Sequence, residues 1–288
     1  MEQGGERVNG VVDTHAHYWQ RQRGESELIA SHDAPVSPGE LLDLMNDSGV
    51  ANLLQVTRYF DPNDDYSLAG AAGHPDRYRV IGRYRPEFLD EPELLEGWAA
   101  RENIIGLRVF SHPVEPQLFT DAAAGFWGAL ESLAVPISLY VPGYLREVRD
   151  IAVTFPALPI VIDHLGARVF AATPPDERFG DWDEAMALSD VPNVFAKASG
   201  MPEGTLEAFP YPDAQARLRE IVGAFGADRV MWGSNFTPSR RVGTYRELVQ
   251  FARLAVRPLS FADQHAVLRG TAGRFFRIES WLDTDQPA

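Results

Sequence analysis

Residues 11–19, "VVDTHAHYW", decide how the fold is read. The stretch opens with β-branched residues, as a strand buried on both faces would. It then alternates Asp13, His15 and His17. Side chains two apart on a strand share a face, so His15 and His17 are expected to point together, with Asp13, out of the strand's end. No glycine-rich phosphate turn follows this strand, which argues against a doubly wound dinucleotide-binding sheet. Polar side chains gathered where a buried strand stops are the pattern of a (β/α)8 barrel, whose functional groups sit at the carboxyl ends of its strands.

Working outward, similar apolar runs recur along the chain: "VNGVVD", "VANLLQV", "YRVIG", "IIGLRVF", "VPISLYV", "LPIVIDH", "NVFAKAS" and "RVMWGS". Each is bounded by Gly, Pro or Asn, and their continuous apolar character suits strands covered on both sides. Helix-like stretches lie between them. "PGELLDLMNDSG" carries Leu41, Leu42 and Met45 and stops at Gly49. "DAAAGFWGALESLA" offers Asp121 as an N-cap. "YPDAQARLREIVGAFG" puts Ala214, Leu218, Ile221, Val222 and Phe225 on one stripe. "YLREVRDIAVTFP" and "SFADQHAVLRGTAGRFF" read the same way. Strands alternating with helices predict an α/β (β/α)8 TIM barrel, and with no linker in sight residues 1–288 read as one domain.

Bulk properties narrow the partners. The 288 residues carry a formal charge of −15, which repels nucleic acid and anionic membrane. There is no cysteine, so disulfides, thiolate catalysis and Cys-based zinc sites are excluded. "MEQGGERVNG" has no apolar signal-peptide core and no run approaches a membrane span; a cytoplasmic protein is the expectation. A small-molecule substrate is the expected partner, with homo-oligomerisation left open.

The strand ends supply the candidate chemistry. The fourth run contains Arg108 and ends near Phe110 and His112. The fifth ends at Tyr140, the sixth at Asp163-His164, the seventh at Lys197 and the eighth at Asn235. A single histidine at a strand end is often only a hydrogen-bonded structural group, but a pair at spacing two is harder to explain that way. His32, His74 and His265 read as surface groups. Arg58, Arg83, Arg85, Arg108, Arg168 and Lys197 lie at or just beyond strand ends, where an arginine can bind a carboxylate bidentately. Arg108 and Arg168 are the ones expected to face a ligand; Lys197 either caps a strand end or joins them. Tyr18, Trp19, Tyr140 and Phe236 suit a flat or cyclic substrate, while Tyr18, Trp19, Tyr59 and Phe60 can equally be packing beneath loops.

Taken in order, "VVDTHAHYW", "GLRVF", "VIDHLG" and "RVMWGSNFTPS" resemble the amidohydrolase superfamily. The resemblance runs from Val11 to about Phe276. Within the superfamily it is to the amidohydrolase-related (amidohydrolase 2) branch, which includes sugar-acid and pyrone-dicarboxylate lactonases and, more distantly, metal-dependent aromatic decarboxylases. The family's first-strand pair matches His15 and His17, and its sixth-strand histidine matches His164. Three positions depart. "IIGLRVFSHP" holds no carboxylate or lysine on the fourth strand, the fifth-strand histidine is Tyr140, and the eighth-strand aspartate, metal ligand and proton acceptor in the family, is Asn235.

These departures leave only His15 and His17 as good zinc donors, so the resemblance implies no tightly held metal cofactor, with those two residues as ligands should zinc bind. An amide has no useful basicity, so Asn235 is assigned to donating a hydrogen bond to an oxyanion or to positioning a carbonyl. His164 becomes the first candidate for the base, on the ground that imidazole titrates near pH 6.5; His15, His17 and Asp13 are the alternatives. The expected activity is a metal-independent hydrolase, a lactonase opening a carboxylate-bearing cyclic ester. A lyase, decarboxylase, isomerase or cyclase on the same scaffold is the alternative, and a catalytically silent binding barrel a third reading.

Overall fold

A computed structural model describes residues 10–21, 34–110, 116–168, 173 and 177–283. Eight parallel strands follow one another around a single sheet in chain order: β1 (Val11–Ala16), β2 (Val50–Val56), β3 (Tyr78–Arg83), β4 (Ile104–Phe110), β5 (Ile137–Tyr140), β6 (Ile160–Asp163), β7 (Val194–Ser199) and β8 (Val230–Gly233). Helices fill the connections, which makes the fold the (β/α)8 barrel that the alternation predicts.

The barrel closes between β8 and β1. Ala16 bridges Phe236, Asn235 N–H donates to the His15 carbonyl at 2.8 Å, and Thr14 Oγ1 donates to the Trp232 carbonyl at 2.7 Å. Asp13 clasps this seam. Its buried carboxylate accepts Ser234 N–H at 2.8 Å, Ser234 Oγ at 2.6 Å, Tyr245 OH at 3.0 Å and the His15 N–H at 3.1 Å. Asp13 therefore serves closure and does not stand beside the two histidines as the alternation suggests. The β1–β2 register is irregular between Asp13 and Ala16, so the simple period of two fails there.

The helices bury the faces their apolar spacing predicts. In the helix Pro212–Phe225, Ala214, Leu218, Ile221, Val222 and Phe225 are the buried set, and Gly226 ends it at φ 79°. Truncating Leu218 to alanine is expected to cost about 2–5 kcal/mol. Helix Pro38–Ser48 carries a capping box between Ser37 and Glu40 and ends on left-handed Gly49. Asp121 is not an N-cap: it lies inside a 3-10 turn, Asp121–Ala123, that precedes helix Ala124–Ser132, and its side chain caps nothing. Most of the buried apolar residues form one large cluster. A smaller one joins Val12, Leu54, Val56, Ile81, Val161 and Met231 to Phe275, Phe276 and Trp281 from the C-terminal helices.

Candidate active site

The first-strand histidines are packed against the last strand. A Cβ on Gly233 would lie 2.7 Å from His15 Cβ and 2.9 Å from His15 N, so only glycine lets β1 come this close. The rings of His15 and His17 are 5.1 Å apart, and those of His15 and His164 are 4.7 Å apart. The three histidines named from the sequence are thus brought together. All three are buried.

Beneath them lies a charged layer contributed by four successive strands. Asp163 at the end of β6 accepts Arg108 Nε from β4 at 2.8 Å, Ser138 Oγ from β5 at 2.5 Å and Lys197 Nζ from β7 at 2.8 Å. Lys197 Nζ also donates to Ser138 Oγ at 2.8 Å. Burial pushes the Asp163 carboxyl up, but Lys197, His15 and Arg108 outweigh it and hold the group well below the usual carboxylate range. Lys197 and Asp163 are both fully enclosed, and Lys197 Nζ lies 6.0 Å from the Phe276 ring. The lysine is therefore committed to the layer beneath the histidines, where it meets Asp163 and Ser138.

The histidine tautomers follow from their partners. His17 Nδ1 lies 2.7 Å from the Val56 carbonyl, and His164 Nδ1 lies 3.2 Å from the Ser199 carbonyl and 2.8 Å from Ser199 Oγ. The Val56 carbonyl only accepts, so His17 carries its proton on Nδ1 and keeps Nε2 as its basic nitrogen; Ser199 offers His164 Nδ1 both an accepting carbonyl and a hydroxyl able to donate, and the tautomer protonated on Nδ1 is the one that leaves Nε2 basic. His15 Nδ1 is 3.7 Å from Asp163 Oδ1, and neither of its ring nitrogens has a hydrogen-bond partner among the described residues. Burial lowers His17 and His164 to about 3 and His15 well below 6.5. A buried His164 does not titrate near 6.5; it is a neutral imidazole throughout the ordinary pH range. His164 (φ 57°) and Leu165 (φ 46°) both occupy the left-handed region, strain of a kind that concentrates at functional sites.

Asn235 sits at the end of β8, also left-handed at φ 55°, a conformation asparagine tolerates. Its Nδ2 donates to Glu203 Oε1 at 2.5 Å. Glu203, in the turn Met201–Gly204 after β7, is buried; it also accepts Ser239 Oγ at 2.5 Å and pairs with Arg241. Burial raises its carboxyl, and Arg241, Ser239 and Asn235 pull it partly back. One of the two amide donors of Asn235 is therefore already spent on a carboxylate. Sequence reasoning missed Glu203, Ser138 and Ser199, and it named Asp163 without a role. The strand-end position of Asp163 and Ser199 is the one local signal that points to them.

The other residues named as substrate contacts divide. Tyr140 stacks on Phe110 at 5.0 Å and meets His164 edge-on at 5.3 Å, and Phe110 in turn stacks on Tyr59 at 5.0 Å. Arg108 lies 5.1 Å over Phe110, so this ladder leads from the histidines to a cleft of about 100 Å³ lined by Thr57, Tyr59, Arg83, Arg108 and Phe110. Trp19 is buried, donating Nε1–H to Thr237 Oγ1 at 3.0 Å beneath the Arg58 guanidinium. Tyr18 is also buried; its hydroxyl donates to the Ser67 carbonyl and its ring packs on Tyr66 and Tyr78, away from the histidines. Arg168 is exposed and faces Asp181 at 3.4 Å. His265 is exposed and His74 packs on Tyr78. His32 and His112 lie outside the described residues.

A bound dication can be tested against these donors. Among the described residues one group gathers closely enough, His15, Asp163 and His164, with donor atoms within 4.8 Å of one another. The orphaned nitrogens of His15 are what a ligand-seeking imidazole looks like. The carboxylate is not available, however: Lys197 and Ser138 occupy Oδ1, and Arg108 occupies Oδ2. A dication there would share its only anionic ligand with an ammonium and a guanidinium, and Asn235 adds no charge. His17, expected as a ligand, is not in the group. As arranged, these residues do not fit a catalytic zinc.

The Amidohydrolase family profile matches residues 12–278, and the chain belongs to that family. Among curated proteins, the L-fucono-1,5-lactonase of Burkholderia ambifaria is 28% identical over 294 residues, covering 93% of this chain and 96% of the lactonase. Two solved structures share the fold. A zinc-bound amidohydrolase from Burkholderia multivorans superposes with a TM-score of 0.77 at 22% identity, covering 93% of this chain and 99% of that one. A probable 2-pyrone-4,6-dicarboxylic acid hydrolase from Acinetobacter baumannii, solved with citric acid bound, gives 0.73 at 20% identity with the same coverage. No helix among the described residues is long and apolar enough to cross a membrane.

Proposed function

We propose that the protein hydrolyses a carboxylate-bearing cyclic ester, as a lactonase working without a bound metal. The observation that carries this reading is the cleft beside the histidines. Arg83 Nε and Thr57 Oγ1 are buried there without a hydrogen-bond partner among the described residues, which is costly unless a ligand completes them. The Arg108 guanidinium joins them, and the ring ladder Tyr59–Phe110–Tyr140 gives a flat molecule a surface to stack on. A larger groove of about 490 Å³ lies among Asn193, Asp228 and Arg274, at the amino-terminal ends of β7 and β8. That is the opposite end of the barrel from the histidines, so the smaller cleft takes the substrate.

In this reading the substrate carboxylate meets Arg83 and Arg108, and the ester carbonyl lies towards the histidines. The Nε2 lone pair of neutral His164 accepts the proton of the attacking water as the tetrahedral centre forms, and Nε2–H returns a proton to the ring oxygen as the C–O bond breaks. A buried imidazole with a pKa of about 3 is a weak base at rest. Asp163 favours its charged form, and so does the negative charge that develops on the substrate. The Ser199 carbonyl holds Nδ1–H throughout.

The test is proton release from sugar-acid 1,5-lactones and pyrone dicarboxylates on addition of the pure protein. Ring opening by the wild type is expected. In Arg108→Met, kcat/KM should fall by about 10- to 100-fold, the scale of a lost charge-assisted contact. A folded protein that opens none of these rings refutes the reading. If Asn235→Asp instead creates both zinc binding and hydrolysis, a non-hydrolytic proton transfer is the native chemistry.

A further inference from the structure

We propose that Glu203 is a positioning residue: from the turn after β7 it holds the Asn235 amide nitrogen, so that the amide oxygen becomes the acceptor offered to the reacting water. This deepens the lactonase reading and, for its kinetic consequence, rests on it. The geometry assigns the amide unambiguously. An ionised carboxylate only accepts, so the atom 2.5 Å from Glu203 Oε1 is the NH2 group, and the carbonyl oxygen is turned away.

The turn is shaped to bring this carboxylate inward. Gly200 enters it at φ 64°, a Cβ on Gly204 would run into the Phe179 ring, and the Arg178 guanidinium grips the Glu203 main-chain carbonyl. Ser239 Oγ shares Oε1 with the Asn235 amide and Arg241 occupies Oε2, so both carboxylate oxygens of Glu203 have fixed neighbours. The strand-8 aspartate implied by the family resemblance is thus split between two side chains. Asn235 keeps an oxygen acceptor at the strand end, and the negative charge sits one hydrogen bond behind it on Glu203.

The experiment follows the Asn235 side-chain amide by NMR in asparagine-labelled protein, assigned with Asn235→Ser, alongside turnover of L-fucono-1,5-lactone. In the wild type one Nδ2 proton should lie downfield of ordinary amide pairs and exchange slowly. Glu203→Gln retains an acceptor and should keep that protected signal. Its kcat should fall by about tenfold. Glu203→Ala should lose the signal and drop kcat by about a hundredfold with KM changed less than about threefold, because the acceptor acts on the transition state.

An Asn235 signal unmoved in Glu203→Ala overturns the proposal, as does a kcat equal to wild type. Should Glu203→Ala fail to fold, Glu203→Gln combined with Asn235→Asp carries the test. That pair exchanges amide and carboxylate while keeping their hydrogen bond. A folded exchange protein that still turns over within about tenfold of wild type supports the role; a folded but inactive one overturns it. If the wild type opens no lactone at all, the lactonase reading fails and the amide signal alone decides the placement of Asn235.

Discussion

Asp163→Asn is the perturbation most sharply determined by the structure. The wild-type carboxylate neutralises two buried cations at once, with Lys197 Nζ and Arg108 Nε each 2.8 Å away and the lysine fully enclosed. An asparagine keeps the volume and removes the charge, and it leaves Lys197 in the barrel interior without a counter-ion. Removing one partner of a buried pair costs about 3–5 kcal/mol, because the other charge stays desolvated. At about 2 °C per kcal/mol for a chain of this size, the melting temperature should fall by roughly 6–10 °C.

Lys197→Met removes the stranded charge itself and leaves Asp163 with Arg108 and Ser138, so it should cost about half as much. The double variant should be more stable than Asp163→Asn alone, with a coupling of about 2–3 kcal/mol in thermal or urea unfolding followed by circular dichroism. The folded Asp163 titrates well below 3.8, so its contribution is present above the unfolded pKa and lost only as pH falls through that lower value. The gap between wild type and Asp163→Asn should therefore persist from pH 8 down to about 4. An Asp163→Asn protein melting within 2 °C of wild type, or a double variant that simply adds the two single losses, would refute the network as described.

Acidification should destabilise the fold as the histidines of the unfolded chain take up protons. His15, His17 and His164 have folded pKa values below their unfolded 6.5, so below that pH the unfolded chain binds protons that the folded one refuses. Asp13, raised to about 6 by burial, and Glu203, raised as well, work in the opposite sense. Three protons against as many as two leaves a net loss of about 1.4–2.7 kcal/mol per pH unit between roughly pH 6 and 4, measurable by urea titration at each pH; a flat profile would contradict the burial of the histidines. Dialysis against dipicolinate should leave lactone turnover within about twofold, since the candidate ligand Asp163 is committed to two cations. A complete loss restored by zinc would show that Lys197 leaves Asp163 in the working enzyme. Gly233→Ala forces a methyl against the His15 backbone and should cost about 1–3 kcal/mol together with most of the activity; an active, undisturbed variant would mean that β1 and β8 can separate freely.

Much of the barrel is legible because its signals are local. The β2 and β4 runs match at both ends, since an uninterrupted apolar segment carries its own boundaries. The first strand does not: its observed span begins at Val11 and reaches Ala16, because its far end is fixed by hydrogen bonds to Trp232, Ser234 and Asn235, more than two hundred positions away. Helix Tyr245–Val256 is announced by a Thr244–Glu247 capping box in "GTYRE", a local signal that the strand-centred reading passes over. The histidine trio could be named because each member stands at a strand end. The layer beneath it could not. Ser138, Asp163 and Lys197 come from three separate strands with no shared period, and only closure of the barrel makes them neighbours. Glu203 is hidden for the same reason: in sequence it is one acidic residue in a turn, and its meaning arises from Asn235 across the last two strands. The pKa of His164 was unreadable because desolvation is a property of the packed interior.

The clasp of Asp13 to Ser234 and Tyr245 also says when this protein can become itself during synthesis. Asp13 leaves the ribosome more than two hundred residues ahead of its partners. Until they arrive a carboxylate destined for the dry interior must stay hydrated, and the leading strand has no mate on that side. The nascent polypeptide can stack its strands in order of emergence, but the ring is sealed only after β8 and the helix that carries Tyr245 have been made. Chains released early should accordingly remain open-edged and be cleared or held by chaperones, which gives the cell a built-in check on completeness.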